Sequence, residues 1–114
     1  MQGKYKNIKA EYNGVMYDSR KEMRRAAALD WMLKAGVIRD LERQKAFVLQ
    51  EGYYNNKKEK IRPIFYLADF VYYDNERKMW IVEDVKSPAT RTDVYLIKKK
   101  LFEKRYPEYW FEEV

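Results

Sequence analysis

The 114-residue chain contains no cysteine and no histidine. Without cysteine there is no disulfide framework, no zinc ribbon and no thiolate nucleophile. Without histidine there is no Ser-His-Asp triad, no imidazole acid–base chemistry and no His-ligated metal. A catalytic metal in this chain would have to be held by oxygens, a preference that selects Mg²⁺, with Mn²⁺ as its substitute. Long apolar runs are also missing. None approaches the roughly 20 residues that span a bilayer, and the Lys-rich N-terminus has no apolar segment behind it. The expectation is a cytoplasmic protein with no membrane partner.

What is present is a hydrophobic fraction of 46% beside 37% charged residues, enough for a core in one domain over residues 1–114. Lys and Arg number 24 against 18 Asp and Glu, a net charge of +6 that favours an anionic partner, nucleic acid before membrane.

Residues 1–12 lack periodicity and read as a basic arm or an edge strand. Asn13-Gly14 marks a turn between Ala10–Tyr12 and Val15–Tyr17, a small hairpin. Ser19-Arg20-Lys21-Glu22 matches a capping box, and good helix formers run to Ala35, where Gly36 supplies the stop. Met23, Ala26, Ala27, Leu29 and Leu33 form the stripe of this helix, 19–35, that should face a core. Phe47-Val48-Leu49 is strand-like, and Gly52 to Lys60 reads as a polar, basic loop. Ile64 to Tyr73 is dense in aromatic and β-branched residues and predicts the strongest strand, paired through the turn 74–77 with a strand Met79–Lys86. Thr90-Arg91-Thr92-Asp93 resembles a second capping box opening a helix, 91–106, that Pro107 ends. A short strand, 109–112, closes the chain.

Strand alternation puts Val82, Asp84 and Lys86 on one face and Ile81, Glu83 and Val85 on the other. Asp69 stands alone in an apolar run. A carboxylate there is costly unless it is paired, ligates a cation or reaches solvent. Glu22 shares a helix face with Ala26, Leu29 and Leu33, and so points toward the sheet. Its place as third helical residue is equally explained by the cap. Glu83 pairs with a basic residue of a covering helix, sits at an exposed strand end, or takes a part in the site beside Asp84.

An acid on an early helix, an Asp in a hydrophobic strand and acid-x-Lys on the next strand together resemble the PD-(D/E)XK nuclease superfamily. Asp18–Glu22, Tyr66–Phe70 and Val82–Lys86, together with Leu41-Glu42-Arg43-Gln44 and the Lys-rich segment 96–106, are similar to its phage-associated DUF1064 branch, over about residues 4–107. One departure is Ala68, where the motif's name has proline. The resemblance implies a restriction-endonuclease-like core, Mg²⁺ ligated by Asp69, Asp84 and the Val85 carbonyl, and Lys86 orienting or deprotonating the attacking water. Glu22 would hold a metal-bound water or a second cation. In related nucleases a polar residue on the following helix assists; here that is Lys98 or Tyr95.

Positive charge clusters at Arg20, Lys21, Arg24 and Arg25, at Lys57, Lys58, Lys60 and Arg62, and at Lys98, Lys99, Lys100, Lys104 and Arg105. Each cluster can be a solvated surface; beside a carboxylate site they suit a phosphate backbone. Tyr53 and Tyr54 could stack on unpaired bases or pack locally. The sequence thus predicts an α/β fold with a mixed, mostly antiparallel sheet flanked by helices. Its expected function is Mg²⁺-dependent DNA endonuclease activity on branched or nicked DNA in phage DNA processing, as in Holliday-junction resolution. A homodimer would form through 109–112 or 64–73. The competing reading is a non-catalytic nucleic-acid-binding module.

Overall fold

The structure, a computed structural model, describes residues 8–114. Of the expected basic arm, residues 1–7 lie outside the described residues. The expected first hairpin is present: β1 (Ala10–Tyr12) pairs antiparallel with β2 (Val15–Tyr17). Asn13 and Gly14 carry the positive φ values, 52° and 79°, that this two-residue turn requires.

Helix α1 spans Arg20–Lys34, and Ser19 caps it by accepting from the Glu22 N–H at 3.1 Å. Half of the capping box is therefore made. The Glu22 carboxylate does not fold back on the cap; it turns inward to Gln44. Glu22, Ala26 and Leu29 are the buried residues of the helix. Leu33 departs from the expected stripe at 39% exposure, and Met32 packs against the core in its place. A period of 3.6 carries the inward line from Leu29 between these two, and Met32 takes it.

The largest difference from expectation is β3, which runs Ile38–Gln50 and not merely over Phe47–Leu49. Its first half, Arg39-Asp40-Leu41-Glu42-Arg43-Gln44, is polar and bent by left-handed residues, Asp40 at φ 54° and Gln44 at φ 55°. Alternation is broken there, so no period-2 pattern is visible. The expected loop 52–60 is also partly ordered: β4 (Tyr53–Tyr54) and β5 (Lys60–Ile61) form a two-stranded hairpin of their own.

Strands β6 (Ile64–Asp74) and β7 (Met79–Asp84) form the expected hairpin. Strand β7 ends two residues early, but its edge stays engaged: Val114 N–H donates to the Asp84 carbonyl and Lys86 N–H to the Val114 carbonyl. Helix α2 spans Asp93–Arg105 with Thr92, not Thr90, as its cap, accepting from the Tyr95 N–H at 3.1 Å. Thr90 belongs to a 3₁₀ turn, 88–90, where its hydroxyl accepts from the Ser87 N–H. Strand β8 (Tyr109–Glu113) then pairs parallel to β7, giving the order β3-β6-β7-β8. The sheet is mixed and mostly antiparallel, as expected.

Two cores cover the two faces of this sheet. Leu29 and Ala26 of α1 pack on Ile38, Phe70, Tyr72 and Ile81. Tyr95 and Phe102 of α2 pack on Phe47, Tyr66, Ala68, Val71 and Val82. Tyr66 and Ala68 thus face α2, whereas Phe70 and Tyr72, of the same parity, face α1. Strand β6 switches faces at Asp69, opposite the left-handed Gln44 of β3. That switch positions the site.

Candidate carboxylate site

Asp69 sits where β6 and β7 separate. The β6–β7 ladder runs from Asp74↔Met79 to Phe70↔Glu83 and stops there. Beyond it, the Asp69 side chain takes over the pairing, with Oδ2 accepting from the Val85 N–H at 2.7 Å. Gln44 Nε2 donates to Asp69 Oδ1 and to Glu22 Oε1, each at 3.2 Å. One amide thus ties the helix carboxylate to the strand carboxylate. Asp84 lies across the gap, facing α2. Its Oδ2 accepts from the Tyr66 hydroxyl at 2.5 Å, and its Oδ1 is 3.0 Å from Lys86 Nζ. The Lys86 ammonium lies 4.1 Å from the centre of the Tyr95 ring. Lys21 closes the rim by donating to the Lys86 carbonyl at 2.5 Å. Beside Lys86, a cleft of about 70 Å³ is lined by Ser19, Lys21, Val85 and Thr90.

The electrostatics follow from crowding acids in a poorly hydrated place. Burial pushes the Asp69 carboxyl up to about 7, and the neighbouring Asp84 and Glu22 charges add to it. The Val85 N–H and Lys86 pull the other way. Glu22 is raised as well, by burial first and by Asp18 next, with Arg43 and the Gln44 amide opposing. Burial and then Asp84 raise the Tyr66 phenol, which stays a proton donor to that carboxylate. The donors that reach these acids are thus mostly neutral. Among the described residues, however, no group of three carboxylates is arranged to hold a metal ion. As folded, Asp69 and Asp84 spend their oxygens on internal donors.

Glu83 has the first of its expected roles. It is fully buried on the α1 face and bonds Arg25 through two contacts, 2.7 Å and 2.5 Å, with the Tyr72 hydroxyl as a third donor. Arg25 is therefore committed to the helix–sheet contact and leaves the expected basic patch. Arg20, Lys21 and Arg24 remain exposed on α1, and Lys57, Lys58 and Lys60 on the β4–β5 hairpin.

Between the two α2 candidates, Tyr95 is the one beside Lys86; its hydroxyl donates to Glu113 Oε2 at 2.7 Å. Lys98 is half-buried, and its neighbour Lys99 is the lysine that approaches Glu113, at 3.9 Å. Gln44, Tyr66 and Glu113 escaped sequence reasoning. Tyr66 was hidden by the face switch: Asp69 lies level with Asp84, strict alternation would put Tyr66 on the opposite face, and only the reversal at Asp69 turns it to the α2 face beside Asp84. Gln44 gives no signal either, because only its left-handed backbone aims it at Asp69.

The family model for a protein of unknown function, DUF1064, matches residues 2–113. The chain belongs to DUF1064. No curated protein and no solved structure matches it. The matched span of this DUF1064 chain includes every residue of the carboxylate site. Among the described residues, no helix is long and apolar enough to cross a membrane.

Proposed function

We propose that this DUF1064 chain is a Mg²⁺-dependent DNA endonuclease of the PD-(D/E)XK kind, acting on branched or nicked DNA. The observation that carries the reading is the convergence of Glu22, Asp69 and Asp84 on one gap in the sheet, with Lys86 as the ammonium bonded there. Buried acids with so little countercharge are costly in isolation, and the cost is offset if a hard cation joins them. The donor set, all oxygen, suits Mg²⁺.

Asp69 and Asp84 would hold the ion, with the Val85 carbonyl beside them and Glu22 at the periphery. The ion would acidify water and stabilise charge at the phosphorus. Tyr66 orients Asp84, and Gln44 sets Glu22 against Asp69. Lys86, half-buried beside the cleft, can donate to a phosphate oxygen or to the attacking water. Its packing on the Tyr95 ring limits where that ammonium can go. A branched substrate needs two such sites, which a homodimer would supply. Of the two segments expected to mediate it, β8 lies at the sheet edge, whereas residues 70–74 of β6 are flanked by β3 and β7.

A second reading, a DNA-binding module without catalysis, draws support from the lack of a ready three-carboxylate metal group among the described residues. One assay separates the two. Supercoiled plasmid and a synthetic four-way junction are incubated with Mg²⁺, Mn²⁺ or EDTA. The hydrolase reading expects metal-dependent nicking that Asp84→Ala and Lys86→Ala each reduce by on the order of 10³-fold or more, with DNA retention kept. Salt-sensitive retention indifferent to EDTA, with no new DNA termini, would instead establish the binding module.

A further inference from the structure

We propose that the β4–β5 hairpin holds an unpaired DNA strand by base stacking on Tyr53 and Tyr54. This deepens the proposed hydrolysis by naming the substrate feature that its site would work beside, and it rests on that reading for its biological sense. The two rings are 48% and 70% exposed and flank an open cleft of about 690 Å³ that Lys60, Ile61 and Arg62 complete. Among the described residues, neither ring packs on another aromatic or a cation, and neither hydroxyl makes a hydrogen bond. The hydroxyls of Tyr12, Tyr66, Tyr72, Tyr95 and Tyr106 are engaged, and Tyr17, Tyr73 and Tyr109, whose hydroxyls make no hydrogen bond among the described residues, pack their rings on Arg43, Trp80 and Phe47.

The charges around the cleft point the same way. Lys57, Lys58, Lys60 and Arg62 are exposed and make no ion pair among the described residues. The one acid between them, Glu59, accepts from the Asn55 amide at 2.9 Å. The loop that carries the lysines is preorganised. Asn55 Oδ1 accepts from the Lys57 and Glu59 N–H groups at 3.0 and 2.9 Å, and Lys58 takes the left-handed conformation, φ 65°. Free cations suit phosphates, but an acidic peptide would leave two bare phenol rings unused. Rings need a flat partner, and a base offers its face only when it is outside the stack. The cleft lies at the start of β6, about 20 Å along that strand from Asp69. One bound strand could therefore reach both places.

The test is fluorescence anisotropy in EDTA, which removes any dependence on cleavage, using a labelled 20-nucleotide oligothymidine, a DNA duplex of equal length and the matching RNA strand. Single-stranded DNA should bind more tightly than duplex. The double variant Tyr53→Ala/Tyr54→Ala should weaken it about tenfold or more, whereas Tyr53→Phe/Tyr54→Phe should bind like the parent. Lys57→Ala/Lys58→Ala should flatten the salt dependence by about 1.4 in log–log slope. The proposal is overturned if duplex binds as tightly, if RNA is preferred, or if the alanine variant binds single strands unchanged. Failed cleavage with this binding intact would count against the hydrolase reading alone. Lost single-strand preference with plasmid nicking intact would count against the cleft alone.

Discussion

Glu83 and Asp84 are adjacent in sequence, both buried, and opposite in their chemistry. Glu83 faces α1 and is answered in full: a guanidinium takes both oxygens and a phenol adds a third bond. Asp84 faces α2 and is answered by one phenol and one ammonium that is itself near solvent. Its acidic neighbours across the gap, Asp69 and Glu22, rely on an amide, a backbone N–H, a distant arginine and the Lys86 charge that Asp84 already uses. Burial of an acid therefore does not mark a site by itself. What separates these two acids is how completely the protein neutralises each.

That contrast can be broken most forcefully at Arg25. Arg25→Met keeps the apolar stem packed but leaves Glu83 charged with no cation, and the loss of one partner of a buried pair costs about 3–5 kcal/mol. For a domain this small such a loss consumes much of the total stability, so urea denaturation should show a midpoint shift out of proportion to one surface contact. A shift within 1 kcal/mol would mean that Glu83 is hydrated and the distinction between the two faces is wrong. The next effect belongs to the other site. Gln44→Asn tolerates the left-handed backbone yet is too short to join Glu22 to Asp69. Loss of such a supporting hydrogen bond typically reduces metal affinity or activity by about 10–100-fold. The expected readout is a higher Mg²⁺ requirement for nicking with unchanged thermal stability; unchanged Mg²⁺ dependence would remove Gln44 from the site.

The sequence made most of the elements legible, because caps, turn residues and the β6 run obey local rules. Both helices, the β1–β2 and β6–β7 hairpins, and the facing of Val82 and Asp84 against Ile81 and Glu83 follow from periods of 3.6 and 2. The long β3 did not, since Arg39 to Gln44 looks like loop: it is charged, bulged and twice left-handed. The same irregularity hid the switch at Asp69. Alternation treats a strand as uniform, but here Ala68 and Phe70 face opposite helices. The partners of the acids were the least legible part. Arg25 lies 58 residues from Glu83 and Gln44 lies 25 from Asp69, and only tertiary register brings them together.

A smaller effect should have opposite signs on the two sides. Burial and like charges hold the Asp69 carboxyl up toward 7, so at pH 8 without metal the folded chain carries a charge that its surroundings oppose. Asp69→Asn removes that charge and keeps an oxygen for the Val85 N–H. It should stabilise the metal-free protein by ~1 kcal/mol, a rise of a few degrees in Tm. Glu83→Gln should do the reverse, since it leaves the Arg25 guanidinium without its counter-ion. Adding Mg²⁺ should raise the Tm of the parent and not of Asp69→Asn. A drop in stability for both amides would show that the carboxylate gap is as well neutralised as the Glu83 pair.

The smallest expected change comes from removing the Glu83 network as a whole. In Arg25→Met/Glu83→Leu/Tyr72→Phe no charge and no hydroxyl is left behind. Replacing a complete buried ion pair by apolar groups of similar size is often neutral or stabilising. Stability should therefore stay within about 1 kcal/mol of the parent, in contrast to the single Arg25 variant, and metal-dependent nicking should persist because Asp84, Asp69 and Lys86 sit beyond that face. Unchanged stability with lost nicking would be the informative failure. It would mean that the Arg25–Glu83 pair fixes the end of β7, and through Val85 the placement of Asp69, so that the fully neutralised acid serves the exposed chemistry of its neighbour after all.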